Sequence, residues 1–341
     1  MDSPLTPQFR KARPLTLDRA AVWRSIGAMT EPFPARTLAS PTGATLQLYH
    51  CEATTKPRGV IHINHGLAEH AARYERFATF LAARGYHVYA HDHRGHGHTT
   101  ADDERPRTFA RRDGASKILA DVDIVQDLIS GIHPKLPAII FGHSMGGLIA
   151  LNYVFKHSNR VAGAAIWNAN FSAGLLGRAG QALLAFERFR RGSDVPSRIL
   201  PKLTFEAWAK QVENARTGFD WLSRDPAEVD AYVADPLCGW DASVSMWQDV
   251  FALVFAGADD SNFADVPRAL PFNLVGGAED PATDGGKAVE TLDKRMRGMG
   301  FSDVTTTIYP ATRHETLNEI NRTEAMEAFA AFADRITGSQ D

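Results

Sequence analysis

The segment AIIFGHSMGGLIALNYVFKH, residues 138–157, constrains the fold of this chain more than any other part of its sequence. An apolar run typical of a buried strand leads into G-x-S-x-G, and a helical pattern follows immediately. So sharp a turn needs glycine at Gly142 and Gly146, because side chains there would collide with neighbouring backbone. The pattern predicts that Ser144 is exposed at the carboxyl end of a parallel sheet, where ligands bind. The competing interpretation is a glycine-rich turn with an incidental serine.

Strand and helix patterns alternate along most of the chain, which predicts crossover connections and a mostly parallel sheet. A β-hairpin is expected around Pro41-Thr42-Gly43, ahead of these units. The other strand patterns are RGVIHINHG, YHVYAHDHRGHG, PAIIFG, VAGAAIWNA, LPFNLVGGAEDP and DVTTTIYPATRHE.

The alternation stops after Asn170, and the residues that follow are helical in pattern and rich in large aromatic side chains. We therefore predict an α/β core formed by residues 35–171 and 256–341, interrupted by a helical cap at residues 172–255. Residues 1–34 are rich in proline and charge, and we expect an extension that lies over the surface.

A serine hydroxyl becomes a good nucleophile only when a base removes its proton, and a carboxylate commonly orients that base. In chains with this type of turn, the acid and then the histidine follow the serine in sequence. Asp280 and His314 each follow a strand pattern, so both are expected at the sheet edge that carries Ser144. These three residues are the predicted catalytic triad. The competing interpretations are a solvated loop position for His314 and a separate surface role for Asp280.

Other residues compete for the acid and base roles. Asp284 is an alternative acid, whereas Asp259 and Asp260 precede their strand and would lie at its opposite end. His143 precedes Ser144 directly, and we expect the turn to direct its side chain away from the nucleophile and toward the sheet.

The tetrahedral intermediate of acyl transfer needs two backbone N–H donors aimed at its negative charge. Met145 follows the nucleophile and supplies the first donor in sites of this type. The NHGLAEH turn after an earlier strand pattern brings the amide of Leu67 to face the serine. Leu67 and Met145 are therefore the predicted oxyanion donors.

The segment HDHRGHGHTT, residues 91–100, also admits a metal-binding interpretation. His91, His93 and His96 match the histidines of the H-x-H-x-D-H pattern of metallo-hydrolases. The pattern fails at Gly95, where an aspartate is required, and no distant set of ligands completes a two-metal site. We expect histidines that order a tight loop, with no metal ion and no other cofactor.

Several segments together resemble the monoacylglycerol lipase and lysophospholipase branch of the α/β-hydrolases, a serine aminopeptidase-like family. They are NHGLAEHAARYERFA, YAHDHRGHGHT, GHSMGG, DPLCGW, and GGAEDP with YPATRHETLNE. The resemblance covers roughly residues 35–335 and implies an eight-stranded, mostly parallel sheet flanked by helices. It also implies the triad and the two oxyanion donors named above, and a helical cap over an acyl-binding pocket.

The cap is expected to determine specificity, since an apolar pocket with few polar groups suits a fatty acyl chain. The alternative is that the large apolar residues form a small core within the cap. Candidate wall residues are Phe171, Leu175, Leu176, Leu183, Phe186, Trp208 and Trp247. One helical stripe in this region consists of Ala179, Ala182, Leu183, Phe186 and Phe189. The arginines that follow the stripe fit a solvated helix face, or transient contact between the cap and a membrane surface.

The leading hypothesis is a carboxylic ester hydrolase that cleaves a monoacylglycerol, a lysophospholipid or a similar single-acyl ester through an acyl-enzyme on Ser144. The alternatives are the same triad acting on an amide, aminoacyl or carbon–carbon bond, a catalytically silent binding protein, and a metallo-hydrolase. The net charge of −3 gives no reason to expect a nucleic-acid partner. Two distant cysteines and the absence of signal-peptide and transmembrane patterns lead us to expect a cytoplasmic protein.

Overall fold

The structure of the protein, a computed structural model, describes residues 32–338 apart from residues 104, 106 and 173. The side chains of Leu175 and Leu176 are also outside the described part. Most of the predicted N-terminal extension, residues 1–34, therefore lies outside the described residues. Phe33, near the end of that range, is buried and packs against Tyr49 with ring centroids 5.4 Å apart.

The strands of the described residues form one sheet. They are β1 (Ala35–Ala39), β2 (Ala44–Cys51), β3 (Gly59–Asn64), β4 (Tyr86–His91), β5 (Thr100–Ala101), β6 (Ala138–His143), β7 (Gly163–Trp167), β8 (Phe272–Gly277) and β9 (Val304–Tyr309). Eight strands follow the order β1-β2-β4-β3-β6-β7-β8-β9, and the two-residue β5 pairs with β2. The β1–β2 and β2–β4 pairs are antiparallel, and all pairs from β4 to β9 along that order are parallel. The predicted hairpin and mostly parallel sheet are confirmed, and the short β5 is an addition to them.

Helices follow most strands, as predicted from the alternation of patterns. They are α1 (Glu75–Ala82), α2 (Gly114–Ile132), α3 (Met145–His157), α4 (Leu175–Arg191), α5 (Leu200–Leu203), α6 (Phe205–Ala209), α7 (Pro226–Ala234), α8 (Val244–Ala258), α9 (Lys287–Gly298) and α10 (Arg322–Thr337). Within the described ranges, no helix has both the length and the apolar character needed to cross a bilayer.

Both faces of the sheet are buried, because side chains alternate along each strand and helices cover both sides. Ile139 and Phe141 of β6 face α1 and α10, whereas Ile140 between them faces α2 and α3. On the first face, the ring of Phe141 lies 5.5 Å from that of Phe77 and 5.6 Å from that of Phe329. This two-sided packing holds the carboxyl ends of the parallel strands at one edge, where their loops meet.

Helices α4 to α8 lie between β7 and β8, in the region predicted to be the cap. Helix α8 is attached to the core helices α2 and α3. The carboxylate of Asp249 accepts a hydrogen bond from the amide of Ala115 at 3.1 Å, and Asn152 donates to the carbonyl of Leu253 at 3.0 Å. The predicted boundary after residue 255 falls inside α8, so this helix continues across it. The division into extension, core and cap stays a prediction.

Candidate active site

Ser144 occupies the turn between β6 and α3 in a strained backbone conformation. Its φ is 55° and its ψ is −119°, a combination that costs a non-glycine residue about 1–3 kcal/mol. Its amide donates to the carbonyl of Trp167 at 2.9 Å, which ties the turn to β7. A Cβ atom on Gly142 would overlap the backbone of Gly146, and one on Gly146 would overlap the carbonyl of Asn64. The turn is therefore fixed by close backbone contacts, as the glycine spacing predicted.

His314 lies between Ser144 and Asp280 and contacts both. Its Nε2 atom is 2.9 Å from Ser144 Oγ, and its Nδ1 atom is 3.0 Å from each carboxylate oxygen of Asp280. With the Nδ1 proton donated to Asp280, Nε2 is left to accept the serine proton. The loops after β8 and β9 bring the acid and the base to the edge that carries Ser144.

Asp280 is completely buried, and its carboxylate accepts several hydrogen bonds. Asn168 Nδ2 donates at 3.1 Å, Thr283 Oγ1 at 2.8 Å and the amide of Ala282 at 2.9 Å. Burial raises the pKa of Asp280, but the neighbouring His314 and the hydrogen-bond donors outweigh burial and lower it below the usual range. The carboxyl group is therefore held as an anion beside the imidazole.

Asp284, the alternative acid, does not take this position. Its side chain is 76% exposed and pairs with Lys287 at 3.0 Å. Its backbone is left-handed, with φ 54°, in the turn that follows Asp280. The structure thus brings only one of the two candidate carboxylates to His314.

The predicted oxyanion donors both border the cavity above Ser144. Met145 is the first residue of α3, where a backbone N–H has no partner within the helix. The loop that carries Leu67 packs closely on the nucleophile, since a Cβ atom on Gly66 would lie 3.4 Å from Ser144 Cβ. Both residues border the cavity beside Ser144, and their role as oxyanion donors stays a prediction.

A cavity of about 220 Å³ opens onto Ser144 and His314. Most of its walls come from the helices between β7 and β8 and from α3. Its aromatic and aliphatic lining includes Leu148, Phe205, Trp208, Phe219, Trp221, Leu222, Tyr232, Trp247, Val250, Phe251 and Val254. Of the predicted wall residues, the structure places Trp208 and Trp247 in this lining. Leu175 and Leu176 were also predicted wall residues, and their side chains lie outside the described part.

Phe171, Leu183 and Phe186 were predicted to line this cavity, and that prediction is wrong. Phe171 is buried elsewhere, against Gly257 of α8. Leu183 and Phe186 are 37% and 55% exposed on the outer side of α4.

A buried carboxylate determines the orientation of α4, and the spacing of apolar residues in this helix does not predict its burial. Glu187 is buried and accepts hydrogen bonds from Ser197 Oγ and the amide of Arg198, both at 2.6 Å. Leu184, on the same side, is fully buried. The predicted apolar stripe of α4 is therefore turned toward solvent.

Comparison with known proteins identifies the family. Residues 55–321 match the family described as serine aminopeptidase, S33. The chain belongs to this family. A monoacylglycerol lipase of Mycolicibacterium smegmatis is 32% identical over 268 residues, which cover 78% of this chain and 84% of that protein. A human monoglyceride lipase is 27% identical over 256 residues, covering 72% of this chain and 73% of that protein.

A solved structure with the same fold is a carboxyl esterase from Bacillus coagulans in complex with glycerol. It has a TM-score of 0.81 at 23% identity and covers 91% of this chain and 100% of the esterase. The α/β-hydrolase fold predicted from the resemblance is confirmed. This S33 family member is a carboxylic ester hydrolase.

Beneath the site of this S33 family member lies a buried ion network that the sequence analysis did not identify. Arg73 contacts Glu69 at 2.6 Å and holds Glu315 by two hydrogen bonds of 2.6 and 2.7 Å. Glu69 also accepts from the amide of Gly66 at 2.5 Å, directly before the predicted oxyanion donor. Glu69 and Arg73, four residues apart and of opposite charge, were the available signal. The network joins the loop at Gly66 and Leu67 to Glu315, the residue after His314.

His143 belongs to the same network, and the expectation that it points toward the sheet is wrong. Its Nδ1 atom is 3.4 Å from Glu69, and its Nε2 donates to the carbonyl of His314 at 2.9 Å. Burial lowers the pKa of His143, but the carboxylate of Glu69 outweighs burial and raises it. The pKa of Glu69, which burial raises, is lowered well below its usual range by His143 and Arg73. His143 therefore holds the backbone of His314 through this hydrogen bond.

Three of the four histidines of residues 91–100 are core residues in a tight loop, as expected, whereas His98 is exposed. His91, His93 and His96 are buried. The carboxylate of Asp92 accepts hydrogen bonds from two loop amides at 2.8 and 2.9 Å, and a side chain on Gly97 would overlap it. In the described part of the chain, the groups of three metal-ligating side chains that converge lie elsewhere.

Proposed function

We propose that this protein hydrolyses monoacylglycerols, or closely similar single-acyl esters such as lysophospholipids, through an acyl-enzyme on Ser144. The observation that carries the proposal is the contact of Ser144, His314 and Asp280 at the floor of an apolar cavity. The family membership and the two lipase relatives support the same reaction class.

The proposed reaction begins when His314 Nε2 takes the proton of Ser144 and the serine oxygen attacks the ester carbonyl. The amides of Leu67 and Met145 stabilise the oxyanion, and each such donor contributes about 2.7–4 kcal/mol to the transition state. His314 then protonates the leaving alcohol, which leaves the acyl group on Ser144. A water molecule deprotonated by His314 releases the fatty acid in the second half of the reaction.

The cavity supports an acyl substrate because its lining is largely apolar. Trp247, Val250 and Val254 form part of a wall that suits a hydrocarbon chain. The family relatives named as lipases of monoacylglycerol point to a small glycerol head group. Turnover measured on a series of esters of increasing chain length identifies the acyl length that fits the cavity best.

The decisive experiment compares Ser144→Ala with the wild type on monoacylglycerols and on p-nitrophenyl esters of varied chain length. We expect a loss of turnover of at least about 10³-fold, with unchanged circular dichroism. Ser302→Ala, at an exposed serine remote from the cavity, is the matched control and should keep full activity. Near-wild-type turnover by Ser144→Ala would refute the assignment.

The other hypotheses give different results in the same assays. If the same triad acts on an amide, aminoacyl or carbon–carbon bond, we expect no turnover of any ester. A fluorophosphonate probe would still label Ser144. A silent binding protein would neither turn over esters nor react with the probe. A metallo-hydrolase would lose its activity to a chelator, whereas the proposed enzyme retains it.

We also propose that the outer side of α4 contacts a membrane surface during catalysis. Phe189 is 87% exposed and Phe186 is 55% exposed, and the guanidinium of Arg190 lies 5.8 Å from the ring centroid of Phe186. Exposed aromatic side chains beside basic residues suit the boundary of an anionic bilayer.

Co-sedimentation with phosphatidylglycerol-containing vesicles tests this contact. Replacing Phe186 and Phe189 together by serine should reduce the bound fraction and leave hydrolysis of soluble esters unchanged. Ile320→Ser is the matched control, because Ile320 lies just before α10 and is 62% exposed. Equal vesicle binding by all three proteins would contradict the proposal.

A further inference from the structure

Three histidines converge at the edge of the sheet opposite the one that carries Ser144. His50 is in β2, His87 is at the amino end of β4, and His133 follows the last residue of α2. Each offers a ring nitrogen, and these nitrogen atoms lie within 4.8 Å of one another. The rings of His87 and His133 are stacked with centroids 4.1 Å apart, and the ring centroids of His50 and His87 are 6.0 Å apart. Three separate elements therefore bring imidazoles to one point.

The chemistry of this group suits a transition metal. Burial lowers the pKa of His50 to about 3 and that of His133 to about 4, and it also lowers the pKa of His87. Metal ions bind the neutral form of imidazole. Three imidazoles with one remaining position for water form a familiar zinc coordination set, and copper and nickel also favour imidazole.

We propose that His50, His87 and His133 bind one divalent transition-metal ion of the zinc or copper class. The ring nitrogen atoms now lie within 4.8 Å of one another. In a tetrahedral site with metal–nitrogen bonds of about 2.05 Å they would lie roughly 3.3 Å apart, so they must move closer together. His87 and His133 are only half-buried, so rotation of these two side chains closes the site around His50.

Hydrogen bonds around the group orient two of the ligands. Tyr89 Oη lies 2.9 Å from His133 Nε2, so this hydroxyl orients the ring when its other nitrogen binds the ion. The amide of Ala53 donates to His87 Nδ1 over a long 3.3 Å, so binding through His87 Nε2 requires the ring proton to move to Nδ1 and this hydrogen bond to break.

The charges near the group have opposite signs. Glu52 raises the pKa of His87, and Arg36 lowers that of His50. The anion thus favours a cation at the site, and the arginine opposes it. The ion would join β2, β4 and the end of α2, at a distance from the catalytic edge, so its expected effect is on stability and not on turnover.

A second convergent group, His70, Asp235 and Cys238, is a weaker candidate. Asp235 already accepts a hydrogen bond from His70 at 2.8 Å. Burial raises the pKa of the Cys238 thiol, so that it stays protonated, and the cation of Arg73 lies close by. This group serves as the comparison in the experiment.

The test uses full-length protein without a polyhistidine tag, treated with chelator and then titrated with Zn²⁺ in a calorimeter. Co²⁺ serves as a spectroscopic probe of nitrogen coordination. We expect one equivalent of Zn²⁺ to bind, a Tm higher by several degrees, and an affinity at least tenfold weaker in His133→Ala. His87→Gln provides a second half-buried ligand change should the first variant fold poorly.

Two control variants separate this site from others. Cys238→Ser should keep wild-type binding, as should His157→Gln at a half-exposed histidine remote from the group. Binding that is absent, or equal in the wild type and in the His133 and His87 variants, overturns the proposal. Loss of binding in Cys238→Ser instead places the ion at the second group and also overturns it. Because the readout is metal binding and Tm, the result is independent of ester hydrolysis.

Discussion

The carboxylate of Asp280 has four neighbouring donors although it is fully buried, and this decides how His314 works. Asn168, Thr283 and the amide of Ala282 hold it in place, and His314 Nδ1 donates the remaining bond. The carboxylate thereby fixes the tautomer of the imidazole that can accept a proton from Ser144. In the proposed reaction, the same anion stabilises the imidazolium that forms during attack.

Replacing Asp280 by asparagine should keep the shape of the site and remove this control. We expect Asp280→Asn to lower kcat by about 10⁴-fold with little change in KM, because the amide favours the wrong imidazole tautomer. Steady-state kinetics on a p-nitrophenyl ester measures the effect. Asp284→Asn, four residues away and exposed, is the matched control and should stay close to wild type. Equal losses in both variants would show that Asp280 has no special role.

At the scale of a secondary-structure element, the turn between β6 and α3 depends on close backbone packing. The carbonyl of Asn64 occupies the space where a side chain on Gly146 would lie. The neighbouring strand β3 cannot move away, because β4 and β6 pair with it on both sides. The turn is therefore intolerant of a single added methyl group.

Gly146→Ala should lower the free energy of unfolding by about 1–3 kcal/mol, the usual cost of overpacking. It should also reduce activity by displacing Ser144. Urea denaturation compares this variant with Gly298→Ala, where an added Cβ at the end of α9 meets no atom within 4 Å. The control should be neutral or more stable by up to about 1 kcal/mol, since alanine favours the helix. A stable and active Gly146→Ala would contradict this account of the turn.

At the scale of the whole molecule, a set of buried neutral histidines makes stability depend on pH. Burial lowers the pKa of His62 and His96 to about 3 and that of His65 to about 4, and it places those of His91 and His93 well below the usual value. In the unfolded chain these histidines titrate near their ordinary pKa of about 6.5. Above that pH both states are neutral and the histidines contribute no pH dependence.

As the pH falls below about 6.5, the unfolded chain takes up protons that the folded protein excludes. Each histidine then lowers the free energy of unfolding by about 1.4 kcal/mol per pH unit, until the pH reaches its folded pKa. We expect a steep loss of stability between about pH 6.5 and pH 4, measured by urea denaturation at a series of pH values.

His93→Phe isolates the contribution of one histidine. Both ring nitrogens of His93 are buried without a hydrogen-bond partner among the described residues, so phenylalanine removes no such bond. The variant should reduce the slope by about one proton, or about 1.4 kcal/mol per pH unit. At pH 8, where both proteins lack this proton linkage, their slopes should agree. An unchanged slope in acid would show that His93 is protonated in the folded protein.

The sequence by itself determined the fold class, the sharp turn and the candidates for its three reactive side chains. Each of these depends on short-range patterns, because a turn such as GHSMGG is encoded by adjacent residues and a strand by the alternation around it. Because the carboxyl ends of parallel strands lie at one edge of the sheet, the strand pattern alone places Asp280 and His314 at the same edge. The tertiary structure decided the rest.

The pattern of α4 alone could not show that Glu187 is buried against Ser197 and Arg198, which turns the stripe of α4 outward. The same holds for the contact of Arg73 with Glu315, 242 residues apart, and for the convergence of His50, His87 and His133. Such contacts depend on which faces meet across the fold. The local sequence pattern does not specify these pairings, since a charged group is buried only where other parts of the fold supply its partners.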